Sequence, residues 1–423
     1  MQSIRDRLEI ILSRLANRAA DEKVFTRLYA EAARVAADAS DARREAGVTL
    51  GPLDGAIVSI KDLFDVAGEA TTAGSLMRKT AAPAQCDAPI VNRLRQAGAV
   101  IIGKTNMTEF AFTAIGDNMH YGTPGNAVGP RRIPGGSSSG AGVSVGEGTS
   151  DISIGSDTGG SIRAPASFCG LIGLRTTHGR ISLDGTMQLA PSFDTFGWFA
   201  DDIETYETVG KLLLGRDPHQ HSLDRPLTLG WLDEMVARPA LAEYAGMKAL
   251  ASKVFGTPAT PTTRFSSPPD ELYWCFRRLQ AKEAWTVHGE WITSGERDLG
   301  PGVEERFGFG RAVDDRTAQA EKVRRLTFRG ELSALLGKDG FLILPTVPGP
   351  APYVDSTPEQ FQAYRERALH LLCLAGLSGF PQITLPIGSV AGAPFGLSLL
   401  GPSGSDIALI RLGRKLLDAA QRA

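Results

Sequence analysis

The chain has 423 residues, of which 42% are hydrophobic and 22% charged, an ordinary composition for a globular protein with a sizeable core. Lys and Arg number 45 and Asp and Glu 47, so the net charge of −2 leaves no basic surplus for binding a nucleic acid or an acidic membrane surface. Glycine is the unusual residue, because 13 of the 48 glycines fall within residues 135–185.

The four cysteines are far apart and form no Cys-x-x-Cys pair. This spacing disfavours a zinc site or a disulfide framework and favours reduced thiols in a cytoplasmic protein. Residues 1–23 alternate charged and apolar side chains, unlike the continuous apolar core of a signal peptide. No apolar run reaches the roughly 18 residues that a membrane span needs, so none is expected.

Residues 1–50 are predicted to be helical, with two apolar faces. The first face contains Ile4, Leu8, Ile11, Leu12 and Leu15, and the second contains Phe25, Leu28, Tyr29, Ala32 and Val35. The sequence next predicts a strand at 56–60, a helix at 88–97 that Gly98 ends, and a buried strand at 99–102.

Residues 125–186 are dense in glycine and serine, and residues 205–340 are predicted to be mainly helical. Three further strands are predicted at 341–344, 382–385 and 396–400, before a closing helix that begins near residue 406. Strands toward both ends with helices between them favour an α/β fold, in which one sheet collects strands from the whole chain. The helical middle is then an excursion from that sheet.

Two motifs suggest chemistry that their surroundings disfavour. Residues 98–105 fit the phosphate-binding pattern G-x-x-x-x-G-K-[ST], but their central residues favour a buried strand rather than a flexible loop. Residues 136–140 fit the G-x-S-x-G pattern of a nucleophile elbow, but a loop precedes them where that motif needs a strand.

A third motif, Gly-Ser-Asp-Thr-Gly-Gly-Ser-Ile-Arg at 155–163, follows a predicted strand and precedes a helical turn. A serine at this place has backbone N–H groups beside it that can hold a developing negative charge. The alternative is a serine that caps a helix after a glycine-rich turn.

Residues 134–140, 155–166 and 169–175 together closely resemble the signature of the amidase signature family, which hydrolyses amides with a Ser–Ser–Lys centre. The resemblance covers about 50–205 and 340–420. It implies one large α/β amidase domain over 1–423, with a central mixed sheet flanked by helices, and no cofactor or metal ion. Within it, 1–50 are N-terminal helices, 51–204 and 341–423 the catalytic core, and 205–340 the excursion that shapes the substrate pocket.

Matched residue by residue, the resemblance implies that Ser161 is the nucleophile, Ser137 the bridging serine and Lys61 the base. It also implies a cis peptide bond before Ser137. The implied oxyanion hole consists of the backbone N–H groups of Thr158, Gly159, Gly160 and Ser161.

This chemistry requires an unusual lysine. A serine hydroxyl is a poor nucleophile until a base takes its proton, and a lysine is a base only when neutral. Because burial disfavours the charged form, we expect Lys61 to be buried on its strand and hydrogen-bonded to Ser137. Ser137 would relay the proton from Ser161 and later deliver one to the leaving amine.

Neighbouring residues are expected to support this centre. Asp157 and Arg163 are predicted to hold the loop by hydrogen bonds and a salt bridge, and Ser138 and Ser139 to donate local hydrogen bonds. The acyl pocket is predicted to draw on residues 112–135 and 205–340. The apolar run 272–276 in that excursion is assigned to core packing in preference to the pocket.

Three functions remain open from the sequence. The first is a stand-alone serine amidohydrolase for small linear amides, which releases a carboxylate and an amine or ammonia. The second is a hydrolase of carbamates (urethanes) or esters with the same centre, and the third is a catalytically silent subunit. A small-molecule amide or carbamate is the expected partner of a monomer or homodimer, with no nucleic acid and no membrane.

Overall fold

A computed structural model describes residues 2–262 and 264–422. Over these residues the chain forms one ten-stranded mixed sheet with helices on both faces, so the predicted α/β class is confirmed. The strands are β1 (Phe25–Leu28), β2 (Ile57–Lys61), β3 (Val100–Thr105), β4 (Ile152–Asp157), β5 (Ile172–Arg175), β6 (Thr195–Ala200), β7 (Arg225–Leu227), β8 (Gly340–Pro345), β9 (Gln382–Val390) and β10 (Ala393–Leu400).

The α-helices differ widely in length, and the longest lie in the second half of the chain. They are α1 (Ile4–Asn17), α2 (Ala30–Glu45), α3 (Pro89–Gln96), α4 (Ser139–Gly146), α5 (Arg163–Cys169), α6 (Ile203–Leu214), α7 (Gly230–Asp233), α8 (Leu241–Phe255), α9 (Pro269–Thr293), α10 (Val303–Ala312), α11 (Asp315–Leu336), α12 (Pro358–Ser378) and α13 (Asp406–Ala420). Among the described residues, no helix is both long and apolar enough to cross a membrane.

The strand order is β1-β3-β2-β4-β6-β5-β9-β10-β8-β7. Strand β2 pairs in parallel with both β3 and β4, and most of the other pairs are antiparallel. Strands from the first half of the chain therefore occupy one side of the sheet and strands from the second half the other. The strands predicted at 56–60, 99–102, 341–344, 382–385 and 396–400 are all present, with somewhat different ends.

Within residues 1–50, the second of the two predicted helical faces was wrong. Phe25 belongs to edge strand β1, which pairs antiparallel with β3, and α2 begins only at Ala30. Helix α2 buries Ala33 and Ala37, whereas Val35 is 69% exposed. The excursion at 205–340 is mainly helical, as predicted, but also contains the short strand β7 at the far edge of the sheet.

Two apolar cores cover the two faces of the sheet. The smaller core contains residues of α1, α2 and α4, and the larger contains residues of the helical excursion and of α12 and α13. Parallel strands end at the same edge of a sheet, so β2 and β4 present their last residues side by side. Polar groups at that edge lie outside both apolar cores, which makes it the natural place for a functional site.

Candidate active site

Lys61 is the last residue of β2 and is completely buried, with 0% of its surface exposed. Its Nζ lies 2.7 Å from the Oγ of Ser137 and 2.8 Å from the Oγ of Ser156. Burial lowers the pKa of Lys61 from its ordinary value of 10.5 to about 7, although the negative charges of Asp157 and Asp194 act in the opposite direction. Near neutral pH a large fraction of Lys61 is therefore neutral.

The position of Ser137 follows from the face of β2 on which Lys61 lies. Side chains alternate along a strand, so Ser59 shares the face of Lys61, and Ser59 contacts Ser144 of α4 at 3.0 Å between hydroxyl oxygens. The loop that enters α4 therefore passes over Lys61. In that loop the Gly136–Ser137 peptide bond is cis, as the resemblance implies, and Thr108 donates its backbone N–H to the Ser137 carbonyl at 3.0 Å.

Ser161 lies in the turn between β4 and α5, and 5% of its surface is exposed. It lines a cleft together with Gly159. Gly160, between these residues, has a φ of +121°, which side-chain-bearing residues rarely adopt. A Cβ at this position would also come within 2.5 Å of Leu372, so glycine is needed here for both backbone and space.

Asp157 fixes the shape of this turn. Its carboxylate accepts hydrogen bonds from Arg163 Nε and Nη2, both at 2.9 Å, and lies 3.1 Å from Arg175 Nη1. All three side chains are 0% exposed. Burial acts to raise the pKa of Asp157, but the two guanidinium groups outweigh it and hold that pKa well below its usual range. The expected salt bridge of Asp157 with Arg163 is thus present, and Arg175 extends it.

One of the four expected oxyanion donors is engaged elsewhere. The backbone N–H of Gly160 is donated to the Asp157 carboxylate at 2.8 Å, so it holds the turn in shape and is not free for an oxyanion. The expected set of four N–H groups is therefore reduced to those of Thr158, Gly159 and Ser161. Thr158 is itself fixed, because its hydroxyl donates to Asp194 at 2.6 Å.

The two serines after Ser137 behave differently from each other. Ser138 donates its hydroxyl to the Ser156 carbonyl at 3.2 Å, as expected. The buried Ser139 Oγ has no hydrogen-bond partner among the described residues, so the expectation that Ser139 donates a local hydrogen bond was wrong.

The cleft beside Ser161 has walls from several segments. Phe112 and Thr113 come from the predicted 112–135 segment, and Phe276 and Phe309 from the predicted excursion. Residues of α12, including Leu369 and Leu372, complete the walls, and their contribution was not predicted from the sequence. In the run 272–276, Leu272, Cys275 and Phe276 are core residues, as expected, and Phe276 also lines the cleft. Trp274 is 41% exposed, so the core-packing prediction was wrong for that residue.

Three residues near the centre have structural roles that sequence reasoning did not assign. These are Ser156, the second partner of Lys61; Arg175, the second cation on Asp157; and Asp194, the acceptor for Thr158. Burial raises the pKa of Asp194 to about 6, while the hydrogen bond from Thr158 acts in the opposite direction. The position of Ser156 near the end of β4, next to the end of β2, is a signal that could have identified it.

Comparison with known proteins gives a consistent result. The Amidase family model matches residues 6–240. Amidase 1 of Arabidopsis thaliana is 38% identical over 391 residues, which cover 85% of this chain and 92% of that protein. The 1-carboxybiuret hydrolase subunit AtzE of Pseudomonas sp. (strain ADP) is 33% identical, over 93% of this chain and 90% of that protein. A solved amidase crystal structure superposes with a TM-score of 0.87 at 30% identity, over 99% of this chain and 96% of that one.

Proposed function

The chain belongs to the amidase family, whose reaction is the hydrolysis of C–N bonds in amides, and we propose that it acts on small linear amides through an acyl-enzyme on Ser161. One observation carries this proposal. A completely buried lysine with a pKa of about 7 lies 2.7 Å from the hydroxyl of Ser137, beside the turn that brings Ser161 to the cleft. These residues supply a base, a hydroxyl in contact with it that can relay a proton, and a nucleophile in the neighbouring turn.

The first half of the reaction forms the acyl-enzyme. Neutral Lys61 accepts the Ser137 proton while Ser137 accepts the proton of Ser161, whose Oγ attacks the carbonyl carbon. The C–N bond of the tetrahedral intermediate then breaks. The leaving nitrogen takes a proton from Ser137, which regains one from Lys61, so that an amine or ammonia departs and Lys61 is neutral again.

The second half returns the enzyme to its starting state. Water attacks the acyl carbonyl and gives a proton to Ser137, which passes its own proton to Lys61. The bond to Ser161 Oγ breaks, Ser161 regains a proton, and the carboxylic acid leaves the cleft. The net reaction adds one water across the C–N bond, and it requires no cofactor.

Backbone N–H groups of the β4–α5 turn would stabilise the oxyanion in both halves. The turn is held rigid by Asp157 and Asp194, so its donors need no rearrangement during the reaction. The position of Gly159 on the cleft supports this role, because a glycine lets the substrate carbonyl approach the backbone closely.

We also propose that the protein works in the cytoplasm as a monomer or homodimer. All four cysteines are free thiols, which suits a reducing compartment. Every group assigned to the proposed chemistry comes from one chain, so the reaction itself needs no second subunit.

A hydrolysis screen tests this proposal. Amine or ammonia release is measured over primary amides, anilides and carbamates with the wild-type protein, Ser161→Ala and the matched control Ser139→Ala. We expect turnover of amides, loss of at least about a thousandfold in Ser161→Ala, and full activity in Ser139→Ala.

Two outcomes would overturn the proposal. Ser161→Ala activity within about tenfold of wild type would remove Ser161 from the role of nucleophile. Turnover of carbamates alone would replace linear amides with urethanes as the substrate class, the second function that the sequence leaves open.

A further inference from the structure

Three arginines line the same cleft as Ser161. They come from three different helices: Arg277 from α9, Arg306 from α10 and Arg365 from α12. All three are partly buried. Three cations from separate elements thus converge on one cleft, although like charges repel.

These arginines have no anionic partner within the described part of the chain, where none of them forms a salt bridge. The next residue on the same helix differs from Arg277, because Arg278 does form a salt bridge, with Glu321 at 2.5 Å. Arg277 instead donates to the hydroxyl of Tyr273 at 3.0 Å.

The nearest acidic side chains are directed elsewhere. Asp117 is exposed and accepts a hydrogen bond from Thr113 at 3.0 Å. Glu305 is exposed and accepts the backbone N–H of Gly302, and Glu366 accepts from Gln362. These carboxylates act on Arg306 and Arg365 at a distance, but among the described residues none of them forms a salt bridge with an arginine of the cleft.

Burial and mutual repulsion both act on these cations. Burial, together with the charge of Arg365, lowers the pKa of Arg306 from 12.5 to about 10. Burial and the charge of Arg277 likewise lower the pKa of Arg365. A bound anion would offset both costs, because a desolvated charge is stabilised by an opposite charge in contact with it.

The cleft also sets the distance between the turn that contains Ser161 and the arginine on α12. Helix α12 presents Arg365, Leu369 and Leu372 to it, at the spacing of one helical face. Leu372 packs beside Gly160 in the catalytic turn, and Arg365 lies seven residues earlier, about 10 Å along the helix axis. Between them Ala368 and Leu369 line the cleft, and Phe276 and Phe309 are also among its apolar lining residues. The arrangement is suited to a molecule with an amide at one end, a short aliphatic spacer and an anion at the other.

We propose that Arg277, Arg306 and Arg365 form an anion site for the carboxylate of the substrate, so that the preferred substrates are small amides bearing a carboxylate group. This inference rests on the proposed hydrolysis at Ser161, because it defines the substrate of the same cleft. Planar guanidinium groups suit the planar carboxylate, to which they can donate paired hydrogen bonds.

The test measures binding separately from turnover. Ser161→Ala protein is titrated by calorimetry with the monoamides of succinate, glutarate and adipate, each against the neutral amide in which a methyl group replaces the carboxylate. We expect at least one monoamide to bind about tenfold or more tightly than its neutral partner. Raising the salt concentration from about 0.05 M to 0.5 M should weaken that preference.

Variants identify the residues responsible. Arg365→Gln, in the Ser161→Ala background, should abolish the preference, and Arg365→Lys should keep part of it because the charge remains. Arg367→Gln is the matched control on the same helix, since Arg367 is exposed, and it should keep the full preference.

The inference is overturned if no monoamide binds more tightly than its neutral partner, or if the preference survives Arg365→Gln. Turnover by the Ser161-intact protein separates this failure from that of the proposed function. Equal hydrolysis of charged and neutral amides would leave the Ser161 chemistry standing and remove the anion site. Tight, Arg365-dependent binding without any hydrolysis would do the reverse.

Discussion

Lys61 is held in an environment that favours its neutral form. Its two hydrogen-bond partners are serine hydroxyls, and its side chain is cut off from water. A carboxylate partner would have kept it charged, as Arg163 and Arg175 are charged beside Asp157. One site therefore contains both a lysine with a lowered pKa and a buried ion pair.

The activity of the protein should therefore rise with pH. Lys61 must be neutral to accept a proton, and its neutral fraction increases as the pH passes through its pKa of about 7. We expect kcat/KM on an amide to rise about tenfold per pH unit below that value and to level off above it. Lys61→Ala should lose at least about a hundredfold at neutral pH. An activity that falls between pH 6 and 8 would contradict this role for Lys61.

Ser137 and Ser139 offer a comparison of two buried serines in one short segment. Ser137→Ala removes the hydroxyl in contact with Lys61 and should reduce kcat by at least about a hundredfold. Ser139→Ala removes a hydroxyl that has no partner among the described residues, so the free energy of unfolding should be unchanged or higher. Steady-state kinetics and urea unfolding on both variants measure this, and equal loss of kcat in the two would refute it.

At this scale the sequence predicted the Lys61–Ser137 contact and the salt bridge of Asp157 with Arg163, but it did not predict the second partners, Ser156 of Lys61 and Arg175 of Asp157. The Lys61–Ser137 contact was expected because the signature motifs identify both residues. The use of the Gly160 N–H by Asp157 was not, since it depends on the local geometry of the turn rather than on residue type.

At the scale of elements, the end of β4 and the start of α5 act as one unit through Asp157. Its carboxylate binds the Gly160 N–H at 2.8 Å and the side chain of Arg163 at 2.9 Å, so the strand, the turn and the helix are joined at a single residue. The orientation of the Ser161 turn therefore depends on this ion pair. Edge strand β1 shows the opposite relation, in which tertiary pairing with β3 overrides a helical pattern of apolar residues.

Replacing Asp157 should disturb both stability and activity. Asp157→Asn leaves Arg163 and Arg175 buried without a counter-charge, which costs about 3–5 kcal/mol in the free energy of unfolding. We expect a matching loss of kcat, because the turn with Ser161 loses its anchor. Urea unfolding and amide hydrolysis measure the two effects.

Asp201→Asn serves as the control, since Asp201 is exposed and should change neither quantity. If Asp157→Asn retained wild-type stability, the ion pair would not be what holds the turn.

At the scale of the whole molecule, the centre joins parts of the chain that are far apart in sequence. Lys61 lies on β2, Ser161 follows β4, and the cleft is closed by α9, α10 and α12. The candidate site at the edge of the sheet could be predicted because its residues lie in recognisable motifs. The contribution of α12 could not, because its apolar spacing fits core packing and cleft lining equally well until the tertiary arrangement is known.

Burial of Lys61 should also make the stability of the whole protein depend on pH. Between pH 7 and 10.5 Lys61 is neutral in the folded state and protonated in the unfolded state, so unfolding takes up a proton and stability rises with pH. Lys61→Met lacks this contribution. We expect the stability of the variant, relative to wild type, to fall by up to about 5 kcal/mol as the pH rises across that window.

Urea unfolding at several pH values measures this difference. Lys338→Met, at an exposed lysine, is the control and should give a difference that does not change with pH. A constant difference for Lys61→Met would show that Lys61 titrates alike in the folded and unfolded states.

The most direct test of the central claim is to trap the acyl group on the protein. Wild-type protein is mixed with an excess of a chromogenic acyl ester or anilide, quenched in acid within milliseconds, and digested for mass spectrometry. We predict one acyl group per chain, on the peptide that contains Ser161, and none in Ser161→Ala. Continued turnover with the acyl group on another residue, or with no covalent adduct, would contradict the account.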